Sequence, residues 1–229
     1  MKNIVKKIRK VRTKITRKLN NKPGIFITFE GVEGSGKSVQ TNFLYNELHK
    51  KGYNVYLTRE PGGTDAGKGI RDILLNTVNE INSYTELFLY LADRSQHIVE
   101  VIKPYLLQGA IVISDRFFDS TIAYQKTGRR IPKEEIEEIT DFKIFKELEP
   151  DLTFLLDLAP EFAQERVENP DRIERENIEF HTRVRNAYIE LARMNPERIF
   201  VIDALDSIEN ISNIIKRTTL DLIKEVNYE

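Results

Sequence analysis

Residues 24–30, Gly-Ile-Phe-Ile-Thr-Phe-Glu, form a run of β-branched and aromatic side chains that breaks into Gly31-Val32-Glu33-Gly34-Ser35-Gly36-Lys37-Ser38, and a helical pattern follows at once. A buried strand, a turn of the form Gly-x-x-x-x-Gly-Lys-Ser and a helix together make a P-loop in its working context. The glycines let the backbone wrap an anion with its N–H groups turned inward. The new helix adds free N–H groups and the positive end of its dipole. In such a loop Lys37 reaches the β- and γ-phosphates of a nucleoside triphosphate, and the Ser38 hydroxyl ligates Mg2+. The loop alone does not name the phosphate acceptor.

At 229 residues the chain suits one domain with a sizeable core. No apolar run approaches the length of a membrane span, and no stretch reads as the apolar centre of a secretory signal. With no cysteine, disulfides and thiolate metal sites are excluded, and a reducing, cytoplasmic setting is the expectation. His49, His97 and His181 lack metal-ligand spacing and read as ordinary surface or core residues. The net charge of −1 hides an asymmetry: residues 1–22 hold ten Lys/Arg and no acid, leaving 25 basic against 36 acidic residues in the remainder. So acidic a body is a poor nucleic-acid binder, because phosphate contacts need clustered cations.

Within 1–22, Ile4, Ile8, Val11, Ile15 and Leu19 recur every three or four residues, so a helix there carries one apolar stripe among cations. It suits contact with an anionic membrane or nucleic acid, a targeting segment, or an extension without a separate task, which we favour. Pro23-Gly24 breaks the pattern. We therefore divide the chain into a basic N-terminal extension, 1–22, and one nucleotide-binding domain, 23–229.

Strands are expected at 24–30, 55–58, 110–114, 152–156 and 199–202. Helices are expected at about 37–51, 66–75, 84–108, 132–147, 160–168, 174–194 and 207–226, with Pro104 kinking the third or ending it early. Strands spaced by helices, with continuous apolar runs, predict an α/β fold: a five-stranded parallel sheet covered by helices on both faces. Ligands of such sheets bind at the C-terminal strand edge. That edge gathers the P-loop with Glu33, then Arg59-Glu60-Pro61-Gly62-Gly63, then Asp115-Arg116, then the stretch from Arg166 to Glu174. Asp115, an acid ending an apolar strand, is the expected holder of Mg2+ and its waters. Any one of these residues reads as well as a surface ion pair or loop cap; all of them at one edge do not.

Five blocks, in order, resemble the thymidylate kinase family of P-loop nucleoside monophosphate kinases: Val32 to Ser38; Thr58-Arg59-Glu60-Pro61-Gly62-Gly63-Thr64; Ala92-Asp93-Arg94; Asp115-Arg116-Phe117-Phe118-Asp119-Ser120-Thr121-Ile122-Ala123-Tyr124-Gln125; and Asp171-Arg172-Ile173-Glu174. The resemblance implies a P-loop kinase fold with a short lid, transfer of the ATP γ-phosphoryl group to dTMP, Mg2+ as cofactor and a homodimer. It implies that Gly31, Val32, Glu33, Gly34, Ser35, Gly36, Lys37 and Ser38 hold ATP, with Mg2+ at Ser38 and Asp115. On the acceptor side it assigns Glu33 to the sugar 3′-hydroxyl and Arg59 and Arg116 to the phosphate. Tyr90 falls where a ring stacks on thymine, Arg94 at the base carbonyl, and Thr121, Tyr124 and Gln125 along the base and sugar pocket, with Glu60 and Pro61 beside them. Plain core packing of Tyr90 stays open, since aromatic residues on helices usually pack.

Family members keep a basic residue in the P-loop or supply arginines from the lid. With Gly34 and Ser35 in the loop, this chain belongs to the second kind, and the lid, 165–174, offers Arg166 and Arg172 among several acids. We expect the catalytic set to be Lys37, Arg116, Arg166 and Arg172, ahead of Arg129 and Arg130. The same two lid arginines read alternatively as ion-pair partners of neighbouring acids. So thin a lid leaves a second function open, a nucleotide-binding regulator with weak or different monophosphate kinase activity.

Overall fold

The computed structural model describes residues 24–227. The basic extension, its boundary at residue 23 and the readings given for it lie outside the described residues. Five strands, β1 (Ile25–Glu30), β2 (Val55–Arg59), β3 (Ile111–Asp115), β4 (Leu152–Asp157) and β5 (Ile199–Asp203), form one sheet in the order β2-β3-β1-β4-β5. Every neighbouring pair is parallel, and Ile25 registers with Ile111 as Ile27 does with Leu152.

β1 is buried on both faces, as its unbroken apolar run requires. Ile25, Ile27 and Phe29 join the larger core, with Leu44, Leu48, Val184, Tyr188 and Ile215. Phe26 turns the other way, against Val112, Phe117, Ile98 and Ile102. Thr28 meets Thr153 through their hydroxyls at 2.7 Å, so the one polar side chain inside the strand is satisfied.

The helices are α1 (Lys37–Lys50), α2 (Asp65–Leu75), α3 (Ser83–His97), α4 (Lys103–Leu107), α5 (Phe118–Thr121), α6 (Lys133–Thr140), α7 (Lys143–Lys146), α8 (Pro160–Gln164), α9 (Ile178–Met194) and α10 (Ile208–Asn227). Side-chain caps start four of them, Ser207 accepting from Asn210 N at 3.1 Å before α10. Thr64 accepts from Gly67 N at 2.9 Å, Asn82 from Thr85 N at 3.0 Å, and Asn177 from Phe180 N at 2.9 Å.

Of the two outcomes expected at Pro104, ending the helix early does not occur: α3 passes through a π-helical stretch, Ile98–Ile102, where Lys103 N bonds Ile98 O, and α4 continues to Leu107. A widened turn just ahead of the proline accommodates its ring. The single helix expected over 132–147 is two, α6 and α7, parted at Asp141-Phe142. Thr140 turns its hydroxyl back to Ile136 O at 2.7 Å, and Phe142 adopts an extended conformation. The sequence reading also missed the helical stretch after β3, where α5 runs on into a π-helical Ile122–Gly128. The remaining elements fall within a few residues of expectation; α8 is shorter, and the lid after it runs as turns up to Asn177.

Candidate active site

All four strand-edge segments meet at one cleft of about 190 Å³, lined by Glu33, Lys37, Ser38, Arg59, Glu60, Arg71, Tyr90, Arg94, Asp115, Arg116, Thr121, Tyr124, Gln125 and Asp171 among others. The P-loop forms its floor. A Cβ on Gly31, at φ 139, would come 2.5 Å from Leu156 O, and Gly36 turns at φ 90, which side chains rarely adopt. Gly36 also caps α1 without a side-chain hydrogen bond, so the first-turn N–H groups stay available to an anion.

Lys37 is buried and donates to Val32 O at 2.7 Å and to Ser35 Oγ at 3.4 Å. Burial, helped by Arg116 and opposed by Asp115 and Glu33, brings its pKa down to about 8. Ser38 Oγ donates to Asp115 Oδ2 at 2.7 Å. This joins two hard oxygen donors from β3 and the P-loop. Among the described residues no cluster of three or more His, Cys, Asp or Glu could itself cage a metal. A pair of this kind suits a cation that keeps several waters and takes the rest of its ligands from phosphate.

Arg116 stands at the centre. Its Nη2 donates to Glu33 Oε1 at 2.6 Å and to Tyr124 OH at 3.2 Å, and its Nη1 to Ser120 Oγ and Tyr188 OH at 3.1 Å each. Tyr124 OH donates to Glu33 Oε2 at 2.6 Å. Burial raises the Glu33 carboxyl, but Arg116 and then Lys37 outweigh it, and the net shift is downward. Beneath lies Glu30, the last residue of β1, accepting from Phe117 N at 2.8 Å, Ser120 Oγ at 2.6 Å and Tyr188 OH at 2.9 Å. Burial, with Asp119 nearby, pushes its pKa up to about 7.

The wall beyond Arg116 is set by α3 and the stretch after β3. Arg94, 2% exposed, donates Nε to Glu60 Oε2 at 2.7 Å, Nη1 to Thr121 Oγ1 at 2.5 Å and Nη2 to Phe117 O at 2.8 Å. Glu60 also meets His97 Nδ1 at 2.9 Å. The Arg-Glu-Pro block thus buttresses Arg94 as well as lining the cleft. Tyr90 is half-buried, one turn before Arg94, and burial together with Glu86 pushes its hydroxyl pKa up. Arg59 is exposed at the mouth with no hydrogen-bond or ion-pair partner among the described residues, beside Arg71, which donates to Pro61 O at 3.1 Å.

The lid arginines part ways. Arg166 reaches Gly34 O at 3.3 Å and Ala204 O at 3.4 Å, against the P-loop. Arg172 points to the acceptor side, donating to Leu74 O at 2.7 Å and to Glu86 Oε2 at 2.6 Å. Neither makes the short-range ion pair with a neighbouring acid that the sequence left open. Asp171 and Glu174 close a reciprocal cap: Asp171 Oδ1 accepts from Ile173 N and Glu174 N, and Glu174 Oε2 from Asp171 N at 2.7 Å. Arg129 pairs with Glu86 and Glu176, and Arg130 is exposed.

Glu30, Arg71, Glu86 and Tyr188 escaped the sequence reading. Glu86 was within reach: Glu86, Tyr90 and Arg94 are spaced four apart and share a helix face. Glu30 was signalled by its place as an acid ending a buried strand. Tyr188 carries no local signal, since it arrives from α9, 72 positions after Arg116.

Comparison with known proteins bears on the chain as a whole. A family model described as thymidylate kinase matches residues 29–215. The thymidylate kinase of Halothermothrix orenii is 47% identical over 194 residues, covering 82% of this chain and 92% of that protein. That of Lactobacillus helveticus is 42% identical over 210 residues, covering 89% and 99%. The crystal structure of thymidylate kinase from Ehrlichia chaffeensis superposes with a TM-score of 0.68 at 36% identity, covering 88% of this chain and 99% of that one. With one all-parallel sheet, one P-loop and matches spanning nearly the whole described chain, this protein belongs to the thymidylate kinase family.

Proposed function

We propose that the protein transfers the γ-phosphoryl group of ATP to dTMP, giving dTDP and ADP. The observation that carries this reading is the single cleft in which a P-loop faces Arg116, Glu33 and Tyr124, with Tyr90, Arg94 and Gln125 along the wall beyond. Two anions must be drawn together in line, and little covalent help is needed. Lys37 and the loop amides hold the triphosphate. Arg116, fixed by four side chains, and Arg59 at the mouth hold the acceptor phosphate. The planar fork of arginine matches phosphate oxygens in pairs. Glu33 accepts from the sugar 3′-hydroxyl, while Tyr90 stacks on the base and Arg94, Thr121 and Gln125 bound its edge.

As the γ-phosphoryl group passes over, negative charge moves from the attacking to the leaving oxygen. Lys37 lies where it can follow that charge, and Arg166, resting on Gly34 O, is the lid cation nearest the loop. Arg172, tied to Glu86 and Leu74 O, serves instead to fasten the lid to the acceptor wall. Ser38 and Asp115, whose oxygens already meet, would hold Mg2+, which when bound would supply positive charge to the transferring phosphates.

A kinase drawing on free ATP and a free nucleotide works where both are dissolved, and we assign it to the cytoplasm. We also infer a homodimer. Ile73 on α2 and Tyr84 and Phe88 on α3 are exposed apolar side chains on neighbouring helices, which a second copy would cover; light scattering of the purified protein tests this. Coupled ADP release with dTMP, dUMP, dCMP and dAMP tests the activity. A clear preference for dTMP is expected, and equal rates across the panel would end the assignment.

A further inference from the structure

Glu86, fully buried on α3, is a hub that the acceptor-side assignments do not use. Its Oε1 accepts from Gln125 Nε2 at 3.2 Å and Arg129 Nε at 2.8 Å. Its Oε2 accepts from Arg129 Nη2 at 2.9 Å and Arg172 Nη2 at 2.6 Å. A carboxylate gripped by two guanidinium groups only accepts hydrogen bonds. The end of the Gln125 amide that faces it must therefore be the N–H end, whichever way an amide is first drawn. Gln125 lines the cleft, and among the described residues its Oε1 makes no hydrogen bond. What the side chain offers a bound molecule is thus an acceptor. The same cleft is lined by Arg94, which spends three of its five N–H groups on Glu60, Thr121 and Phe117 and is purely a donor.

An acceptor and a donor lining one cleft make a directional code. It matches a pyrimidine that carries a proton on N3 and a carbonyl at C4. Cytosine reverses both positions, with a bare N3 and a 4-amino group. Were the Gln125 amide to flip, its N–H end would meet the cytosine N3 instead.

We propose that Glu86 is a positioning residue for base choice: by holding the amide end of Gln125, it keeps the cleft set for 4-oxo over 4-amino pyrimidine monophosphates. This rests on the dTMP kinase reading above. Sites that pair a polar edge reject the mismatched analogue by large factors, because a buried polar group is left without a partner. In Glu86→Gln the neighbour of Gln125 can donate as well as accept, so the amide is free to present either end.

The test is steady-state kinetics with dTMP and dCMP on the wild type, Glu86→Gln and Arg129→Met. The wild type must prefer dTMP; if it does not, the function itself is wrong and not merely this inference. Given that preference, Glu86→Gln should shrink the dTMP:dCMP ratio of kcat/KM at least tenfold, through a raised KM for dTMP and a lowered one for dCMP. Arg129→Met, which loosens the same hub but leaves the carboxylate, should keep the ratio within about twofold. A purely structural hub would slow both substrates alike and leave the ratio unmoved, which would overturn the proposal. Should Glu86→Gln not fold, the wild type decides by NMR. The Gln125 side-chain N–H2 signal, assigned by its absence in Gln125→Met, should exchange slowly with water and keep its shifts when dTMP binds. Exchange as fast as that of a surface glutamine would equally overturn it.

Discussion

Arg116 meets Glu33 at 2.6 Å while its own backbone is held at φ 74, a left-handed conformation uncommon outside glycine. The two facts belong together. The turn is what aims the side chain back from the end of β3 toward the P-loop. Its backbone is pinned on both sides: Arg116 N donates to Phe29 O at 2.9 Å, and Ser114 Oγ donates to Arg116 O at 2.7 Å. A non-glycine residue so placed costs of order 1–3 kcal/mol, which the surrounding bonds must offset.

Replacing Arg116 should therefore separate strain from function. Both Arg116→Ala and Arg116→Gly should lose at least about 100-fold in kcat/KM, since each removes a charged fork worth several kcal/mol at a phosphate. Glycine alone relieves the backbone, so Arg116→Gly should be more stable than Arg116→Ala by about 1 kcal/mol. Urea midpoints of the two variants measure this, and equal midpoints would show that the turn stores no strain.

Lys37→Ala should lower kcat by roughly 100- to 1000-fold, corresponding to about 3–4 kcal/mol of transition-state stabilisation. The fold should survive, because the lysine is held below its usual pKa and its burial costs free energy in the folded state. Near-wild-type turnover would remove it from the reaction.

The buried acid at the end of β1 makes stability depend on pH. Glu30 sits at about 7, against an ordinary value of 4.5. Between those values the folded protein binds a proton that the unfolded chain has released. Its stabilising share is full below pH 4.5 and is lost as pH rises through 7. The stability of wild type relative to Glu30→Gln should accordingly decline from pH 5 to pH 8 in urea titrations. Parallel curves for the two proteins would show that Glu30 titrates normally.

The two lid arginines should fail differently. Arg166→Ala should depress kcat about 100-fold with little change in KM for dTMP, because its contacts are at Gly34 and Ala204 beside the triphosphate cradle. Arg172→Ala breaks a bond to buried Glu86 and should mainly raise KM for dTMP and lower thermal stability. A reversed pattern would exchange their roles.

The parts legible in the sequence were those written locally. The strand runs, the P-loop and the order of the rim segments need only neighbours a few residues apart, and all reappear. Arg94 and Gln125 were found as motif members, but not the partners that hold them. Glu86 lies 39 positions from Gln125, and no local pattern pairs an acid with a distant amide. Tyr188 and Glu30 meet across 158 positions. The break between α6 and α7 was missed because Thr140 and Asp141 are tolerable helix residues singly and a stop only together. Pro104 signalled a disturbed helix but not its form, since a proline is a barrier to an α-turn and much less to a wider one.

The sheet order places β1 innermost, with β3 on one side and β4 on the other, while β2 and β5 form the margins. Fraying begins at margins. A molecule that has shed β2 together with the helix after it has lost Arg59 and the prop behind Arg94, yet the segment between Glu30 and Ser38 is still moored on both flanks. Such half-opened forms would go on gripping triphosphate with no means of receiving the second nucleotide, so amide exchange along residues 25–30 should report only complete unfolding, nucleotide bound or not.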